Sequence, residues 1–392
     1  MELRKDPITR SWVITGDDVA ESGPRSETFC RFCPDSSAPA QVISSVTGID
    51  GLAWSARSVV HPAPLYRIEG EPGRRGDGIY DRMRSVGAHE VLVENPRHDG
   101  QLWNSSDAEI EQFLLLAAQR IQDLKRDPRF KYVSVFKNHG PDAGQEFEHP
   151  NSQLTATTFV PRRVLYELRA GRDYFAQKER CVFCDILSQE ERQNLRVLEI
   201  RGDYVAMCPY APRVPYETWI MPRSHEASFE RTGLRGSGIL RDFAALLRRT
   251  LQRIRAVTEE FHLVLHTSPN SLHGSESLGY WKTIDEDYHW HVEILPILGA
   301  LLAIDFGNRS AAAAGREDRG VAPLSDAHMG TGAFSSPRRR QAAVYAAPIM
   351  SLLQEALYLE TSFLYSCPPH HCLRSDRQRH CYCQAASSLA ET

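Results

Sequence analysis

Apolar and polar positions fall into the same order twice along this chain. Residues 91–93 and 218–221 are short apolar runs that read as buried strands, and each is followed by a proline and then a histidine, His98 and His225. A helical periodicity comes next in both places. Residues 107 to about 125 put Ile110, Phe113, Leu114 and Ala117 on one face, behind a capping box of Ser106 and Glu109. Residues 238 to about 260 form a stripe of Leu240, Phe243, Leu247, Leu251 and Ile254. Residues 132–136 and 261–265 predict one more strand each, and each is followed by a strand-like stretch that carries a histidine, His149 in one case and His289 in the other. Strand, helix, strand and histidine-bearing strand, occurring twice, predict an α+β duplication over residues 1–167 and 168–298, linked by the charged segment 168–180. Beyond residue 296 the periodicity fades, and Ala, Ser, Arg and Pro dominate stretches such as 310–315 and 335–340. Residues 299–392 are therefore expected to be an atypical, disordered tail, although 350–365 is compatible with one helix.

Composition narrows the class. With 42% apolar and 24% charged residues, the 392-residue chain has ordinary globular material for a core. Lys plus Arg number 46 against 50 Asp plus Glu, a balance of −4 that argues against a nucleic-acid binder working by bulk positive charge. No run approaches the length of a membrane span, and the charged N-terminus has no apolar signal segment behind it, so a cytoplasmic protein without membrane contact is expected.

Nine cysteines change the picture. Four form two CxxC pairs in aromatic settings, Cys30/Cys33 and Cys181/Cys184, a pattern that in a reducing compartment points to metal or catalysis before disulfides. Cys208 stands alone and reads as a buried apolar residue. Cys367, Cys372, Cys381 and Cys383 lie in the tail near three histidines, at spacings that match no zinc pattern. Zinc takes about four N or S ligands in a tetrahedron, and a CxxC turn supplies two. The repeat supplies the rest: Cys30, Cys33, His98 and His149 for one ion, Cys181, Cys184, His225 and His289 for another. Closed four-ligand sets would make both structural. The competing reading is that the histidines are ordinary surface or core residues and the cysteine pairs merely pack. A zinc ribbon for nucleic acid would need both pairs in one site, and a whole repeat separates them.

Residues 133–153 carry the densest chemistry. A strand leads into a loop with Gly140 and Gly144, where backbone N–H groups can approach an anion such as phosphate. Asn138 can donate its amide to the same group, and Ser152 and Gln153 add short polar side chains. A surface turn that needs glycine for positive φ would explain the loop equally well.

The motifs in residues 3–14, 30–34, 87–99, 136–140 and 149–153, in this order, resemble the galactose-1-phosphate uridylyltransferase family of the histidine-triad superfamily. Residues 264–269 and 288–294 resemble its second repeat. The resemblance covers about residues 1–297 and implies two tandem histidine-triad-like repeats, each an antiparallel sheet with packed helices. It implies ping-pong nucleotidyl transfer between a nucleotide-sugar and a sugar 1-phosphate, through a nucleotidyl-histidine. Carried over, Gln153 steadies phosphoryl oxygens, Asn138 and the Gly144 backbone hold phosphates, His149 ligates zinc beside the site, and His291 reaches towards substrate. The family also implies a homodimer, on which this sequence is silent.

One departure matters most. The nucleophile position is Asn151, and an amide nitrogen gives its lone pair to the carbonyl. Glu146 stands where the family has a phosphate-contacting serine, bringing negative charge towards a phosphate. The expectation is a uridylyltransferase-type chain acting poorly or not at all. Its alternatives are an ADP-sugar phosphorylase or adenylyltransferase of the same superfamily and a non-catalytic, zinc-stabilised nucleotide-sugar binder.

Overall fold

The computed structural model describes residues 1–15, 29–49, 51, 53–236, 238–273 and 282–298. The cysteines and the helix expected in the tail lie outside the described residues.

In chain order the first half contributes β1 (Glu2–Lys5), β2 (Trp12–Thr15), β3 (Val42–Thr47), β4 (Trp54–Val60), β5 (Arg75–Asp77), β6 (Tyr80–Arg84), β7 (Gly87–Val93), α1 (Asp107–Leu124), β8 (Tyr132–His139) and β9 (Asn151–Thr157). The second contributes α2 (Arg162–Lys178), α3 (Val182–Gln193), β10 (Val197–Arg201), β11 (Tyr204–Met207), β12 (Thr218–Pro222), α4 (Phe229–Gly233), α5 (Arg241–Arg255), β13 (Phe261–His266), α6 (Ile284–Asp287) and β14 (His291–Pro296). The fold is α+β, as expected. The capping box is present at α1: the Glu109 N–H donates to Ser106 Oγ, and the Ser106 N–H donates back to the Glu109 carboxylate.

One expectation needs correction, the bounds of the second long helix. The second long helix starts at Arg241 rather than Gly238, because Gly238 sits at φ +81°, outside helical space. Its end is Arg255 rather than the region of residue 260. The charged link is itself helical: α2 runs through residue 178 and stops at Glu179, which takes the left-handed conformation at φ 54°.

One antiparallel sheet of ten strands holds both halves, in the order β10-β11-β12-β14-β13-β8-β9-β7-β4-β3. The order reads alike from either edge, hairpin strands outside and β8 and β13 meeting at the centre, where Phe261 pairs with His139 and Leu265 with Val135. A second sheet, β2-β1-β6-β5, flanks it. One face of the large sheet carries α1 and α5. Ile110, Leu114 and Ala117, Phe243, Leu247 and Leu251, and the strand residues Val133, Val135, Leu154, Leu263 and Leu265 form one core that crosses the midline. Each Val, Leu, Ile or Phe side chain among them contributes about 1.5–3 kcal/mol on burial.

Strand alternation then decides which polar residues face which way. On β8 and β9, Val133, Val135, Leu154 and Ala156 point into that core. Asn138, Asn151 and Gln153 belong to the opposite face. In the second half this opposite face is covered by α2 and α3, through Val164 and Leu168 against Tyr132 and Tyr288, and through Phe183 and Leu187 against Val205 and Met221.

Candidate functional site

Both Cys/His sets predicted from the sequence come together. In each set the four ligand atoms lie within 4.8 Å of one another. Cys33 Sγ is 3.4 Å from His98 Nδ1 and 3.6 Å from His149 Nδ1, and Cys184 Sγ is 3.3 Å from His225 Nδ1 and 3.6 Å from His289 Nδ1. A tetrahedral ion at ordinary Zn–S and Zn–N lengths spaces S and N about 3.6 Å apart. The two histidine pairs also share one geometry, crossing at 87° in the first set and 85° in the second. Backbone carbonyls select the tautomer. His149 Nε2 donates to Asn95 O at 2.8 Å, His225 Nε2 to Asp285 O at 2.9 Å and His289 Nε2 to Pro222 O at 3.0 Å, so each Nδ1 lone pair faces the thiols.

Burial also suits His149 to the donor set: it lowers the ring's pKa to about 4, which keeps it neutral as a ligand must be. Burial, and then the adjacent Cys30, raise the Cys33 thiol to about 11. A cation between the sulfurs would reverse that shift, since coordination takes the thiolate. The donor sets thus suit a soft or borderline divalent ion. Cys208 is buried, as expected.

Beside the first set lies the polar face of β8 and β9. Asn151 donates its side-chain amide to His149 O at 2.7 Å and to Phe147 O at 3.3 Å. Gln153 Oε1 accepts from His89 Nε2 at 3.0 Å. Asn138 Oδ1 lies 3.0 Å from His262 Nδ1 on β13, so the second half supports this first-half residue. Glu146 lies 3.1 Å from His61 Nε2, and His61 stacks on His89 at 3.9 Å. His61, His89 and His262 were not singled out from the sequence. An alternation count along residues 87–93 puts His89 on the same face as Val91 and Val93, and that count alone could have flagged it.

Three expectations change here. Ser152 does not accompany Gln153: it alternates to the helix-covered face, where its hydroxyl donates to Glu94 at 2.7 Å within the buried Glu94–Lys137 pair. Gly144 gives its N–H to Pro141 O at 3.0 Å, so its contribution is the turn, at φ +75°, and not a donor for phosphate. Gly140, at φ +95°, has the same need, and an added Cβ would meet Glu260 Cγ at 2.4 Å. His291 is 1% exposed between Phe183, Trp219 and His266, so a substrate reaches it only if that packing opens.

Around His291 the second half is filled with charge. Glu167, His266, His291 and Glu293 converge, and Arg163 and Arg213 sit on the carboxylates, with Glu217 against Arg213. Two arginines and His266 face three glutamates, which reads as a largely self-balancing ion network rather than a vacant cation site. Burial opposes charge on His266, but Glu167 and Glu293 outweigh it and raise its pKa above the ordinary value. Burial likewise opposes charge on Glu167, yet His266 and Arg163 bring its pKa down to about 2. The signs give two limbs. Stability from His266 is complete below its unfolded value of about 6.5 and is lost as pH rises through the raised one. Stability from Glu167 is complete above about 4.5 and is lost as pH falls towards 2. A melting-temperature scan should therefore fall on the alkaline side, and His266→Gln should flatten that limb; an unchanged limb in the variant would refute the assignment.

Known proteins similar to this chain bear on its family and fold. Residues 82–159 match the family described as DUF4931 N-terminal domain, a domain of unknown function. The chain is 27% identical over 322 residues to ADP-glucose phosphorylase of Arabidopsis thaliana, covering 78% of this chain and 87% of that one. It is 28% identical over 226 residues to galactose-1-phosphate uridylyltransferase of Thermotoga maritima, covering 57% and 67%. Its relatives include galactose-1-phosphate uridylyltransferases and an ADP-glucose phosphorylase. The crystal structure of the Arabidopsis ADP-glucose phosphorylase with bound ADP-glucose superposes with a TM-score of 0.59 at 27% identity, over 78% of this chain and 93% of that one. The uridylyltransferase-like resemblance read from the motifs therefore extends to the fold. Among the described residues no helix is long and apolar enough to cross a membrane.

Proposed function

We propose that this chain is a nucleotide-sugar protein of the UDP-glucose–hexose-1-phosphate uridylyltransferase type whose covalent step is impaired at residue 151. One observation carries the reading. Asn151 Nδ2 donates to His149 O, two residues back, and His291 Nδ1 makes the same bond to His289 O at 3.0 Å at the matching place in the second half. Asn151 thus reproduces the inward half of a histidine at this position and lacks the outward nitrogen that would attack phosphorus. Around it Gln153 and Asn138 hold amide groups suited to phosphoryl oxygens, and Glu146 works against their charge. Zinc in the two Cys/His sets would be structural, held by Cys30, Cys33, His98 and His149 and by Cys181, Cys184, His225 and His289.

The ADP-sugar reading has its own support, because the Arabidopsis phosphorylase matches this chain over most of both lengths. Melting temperature with ADP-glucose and with UDP-glucose, together with an assay for release of hexose 1-phosphate, separates the readings. A ligand at a hundred times its dissociation constant adds about 2.7 kcal/mol, a shift of several degrees. The uridylyl reading expects UDP-glucose to give the larger shift with little or no turnover. A larger shift with ADP-glucose moves the assignment to the adenylyl branch, and no shift with either removes nucleotide sugars as ligands.

A further inference from the structure

We propose that His89 is a positioning residue of the first-half site, holding the Gln153 side-chain oxygen so that the Gln153 nitrogen is the end offered to a ligand's phosphate groups. This rests on the nucleotide-sugar reading of that site.

The two ends of a glutamine amide are nearly alike in shape, so its orientation is decided by what its neighbour can donate or accept. Here the neighbour is decided by the main chain. The Leu65 backbone N–H points at His89 Nδ1 at 3.1 Å, so Nδ1 is the acceptor and the ring proton is on Nε2. That Nε2 lies 3.0 Å from Gln153 Oε1, which makes the oxygen the bonded end. No described residue accepts the Gln153 Nε2 hydrogens. They are left for an anionic oxygen, and the order of donors runs from the Leu65 amide through His89 and Gln153 to the ligand.

The ring is also held in place. His61 lies flat on it with centroids 3.9 Å apart and planes 12° apart. His61 is fixed in turn by the Ala63 N–H on its Nδ1 at 3.1 Å and by Glu146 at its Nε2. Burial, with His61 alongside, lowers the His89 pKa well below the ordinary value, so the ring keeps one hydrogen-bonding pattern across neutral pH. Without this partner Gln153 can turn over and present its oxygen, an acceptor facing an acceptor.

The test uses the full chain, with the better binding of ADP-glucose or UDP-glucose and its parent nucleoside as probes, measured by calorimetry. His89→Phe keeps a flat ring for the stack and removes the donor; His89→Gln keeps a donor and covers the case in which the first variant does not fold. His89→Phe is expected to weaken the nucleotide sugar about tenfold to a hundredfold, the worth of one hydrogen bond to a charged group, and to leave the nucleoside unchanged. His89→Gln should recover part of the loss. In a Gln153→Met background His89→Phe should have no further effect, because its role runs through Gln153. Equal losses for nucleotide sugar and nucleoside, or losses at the two positions that simply add, would overturn the proposal while leaving the ligand class standing. If the unaltered chain binds neither nucleotide sugar, the reading of the site fails and the role of His89 falls with it.

Discussion

Asn151→His should convert a chain that takes up no nucleotidyl group into one that carries close to one per molecule after incubation with its nucleotide sugar, read by intact mass. The geometry for the gain is already built. The His149 carbonyl that accepts from Asn151 Nδ2 at 2.7 Å would accept from the new ring's Nδ1, as His289 O does from His291. This leaves Nε2 facing outward with its lone pair free, the form in which imidazole attacks phosphorus. Asn151 is only partly buried, so the larger ring has room at the start of β9. Glu146 tempers the expectation, because its carboxylate opposes phosphate, and Glu146→Ser in the histidine background should raise the rate of adduct formation further. An adduct on the unaltered chain would sink the impairment claim. His139 would be a poor place to look for its nucleophile, since the ring packs between Trp103 and Phe261, and burial lowers its pKa to about 3.

Loss of either Cys/His set should be the most damaging change to stability. Cys30→Ser and Cys181→Ser are each expected to lower the bound metal by one ion per chain, by elemental analysis. Each should also cost about 4–5 kcal/mol, the scale of losing a structural metal, or roughly 10–20 °C in melting temperature. The first set ties Cys30 and Cys33, in a segment without helix or strand, to the turn after β7 and the entry to β9. A small apolar cluster of Phe32, Trp54, Val59, Val91, Val93 and Phe147 is its main other support. The second set fixes the start of α3, whose N-cap is Cys181 with no side-chain capping bond. A metal content unchanged in Cys181→Ser would show that the second set packs without an ion.

The grouping of the two Cys/His sets was legible in the sequence for a simple reason. Metal ligands are scarce residue types, and here they recur at matching places in a repeat, so identity and order suffice to group them. The main strands and the α1 cap were legible because periodicity and capping are local. What was missed depends on residues far apart in the chain. Glu167, His266, Glu293, Arg163 and Arg213 look like ordinary surface charges, and only the docking of α2 on the sheet makes them a buried network. His262 supports Asn138 from 124 residues away, through the pairing of β13 with β8. Ser152 was misplaced although the signal was present: in a strand, a residue between Asn151 and Gln153 faces away from both.

The central pairing of β8 with β13 also bears on how the chain comes into being. β13 emerges roughly a hundred and twenty residues after β8 ends. At about 5–20 residues per second, a nascent chain therefore carries β8 as an open edge for several seconds or more, over a core still lacking α5. Synthesis passes through a stage in which a complete-looking first half is sticky at one side, and the second half serves as its permanent cover.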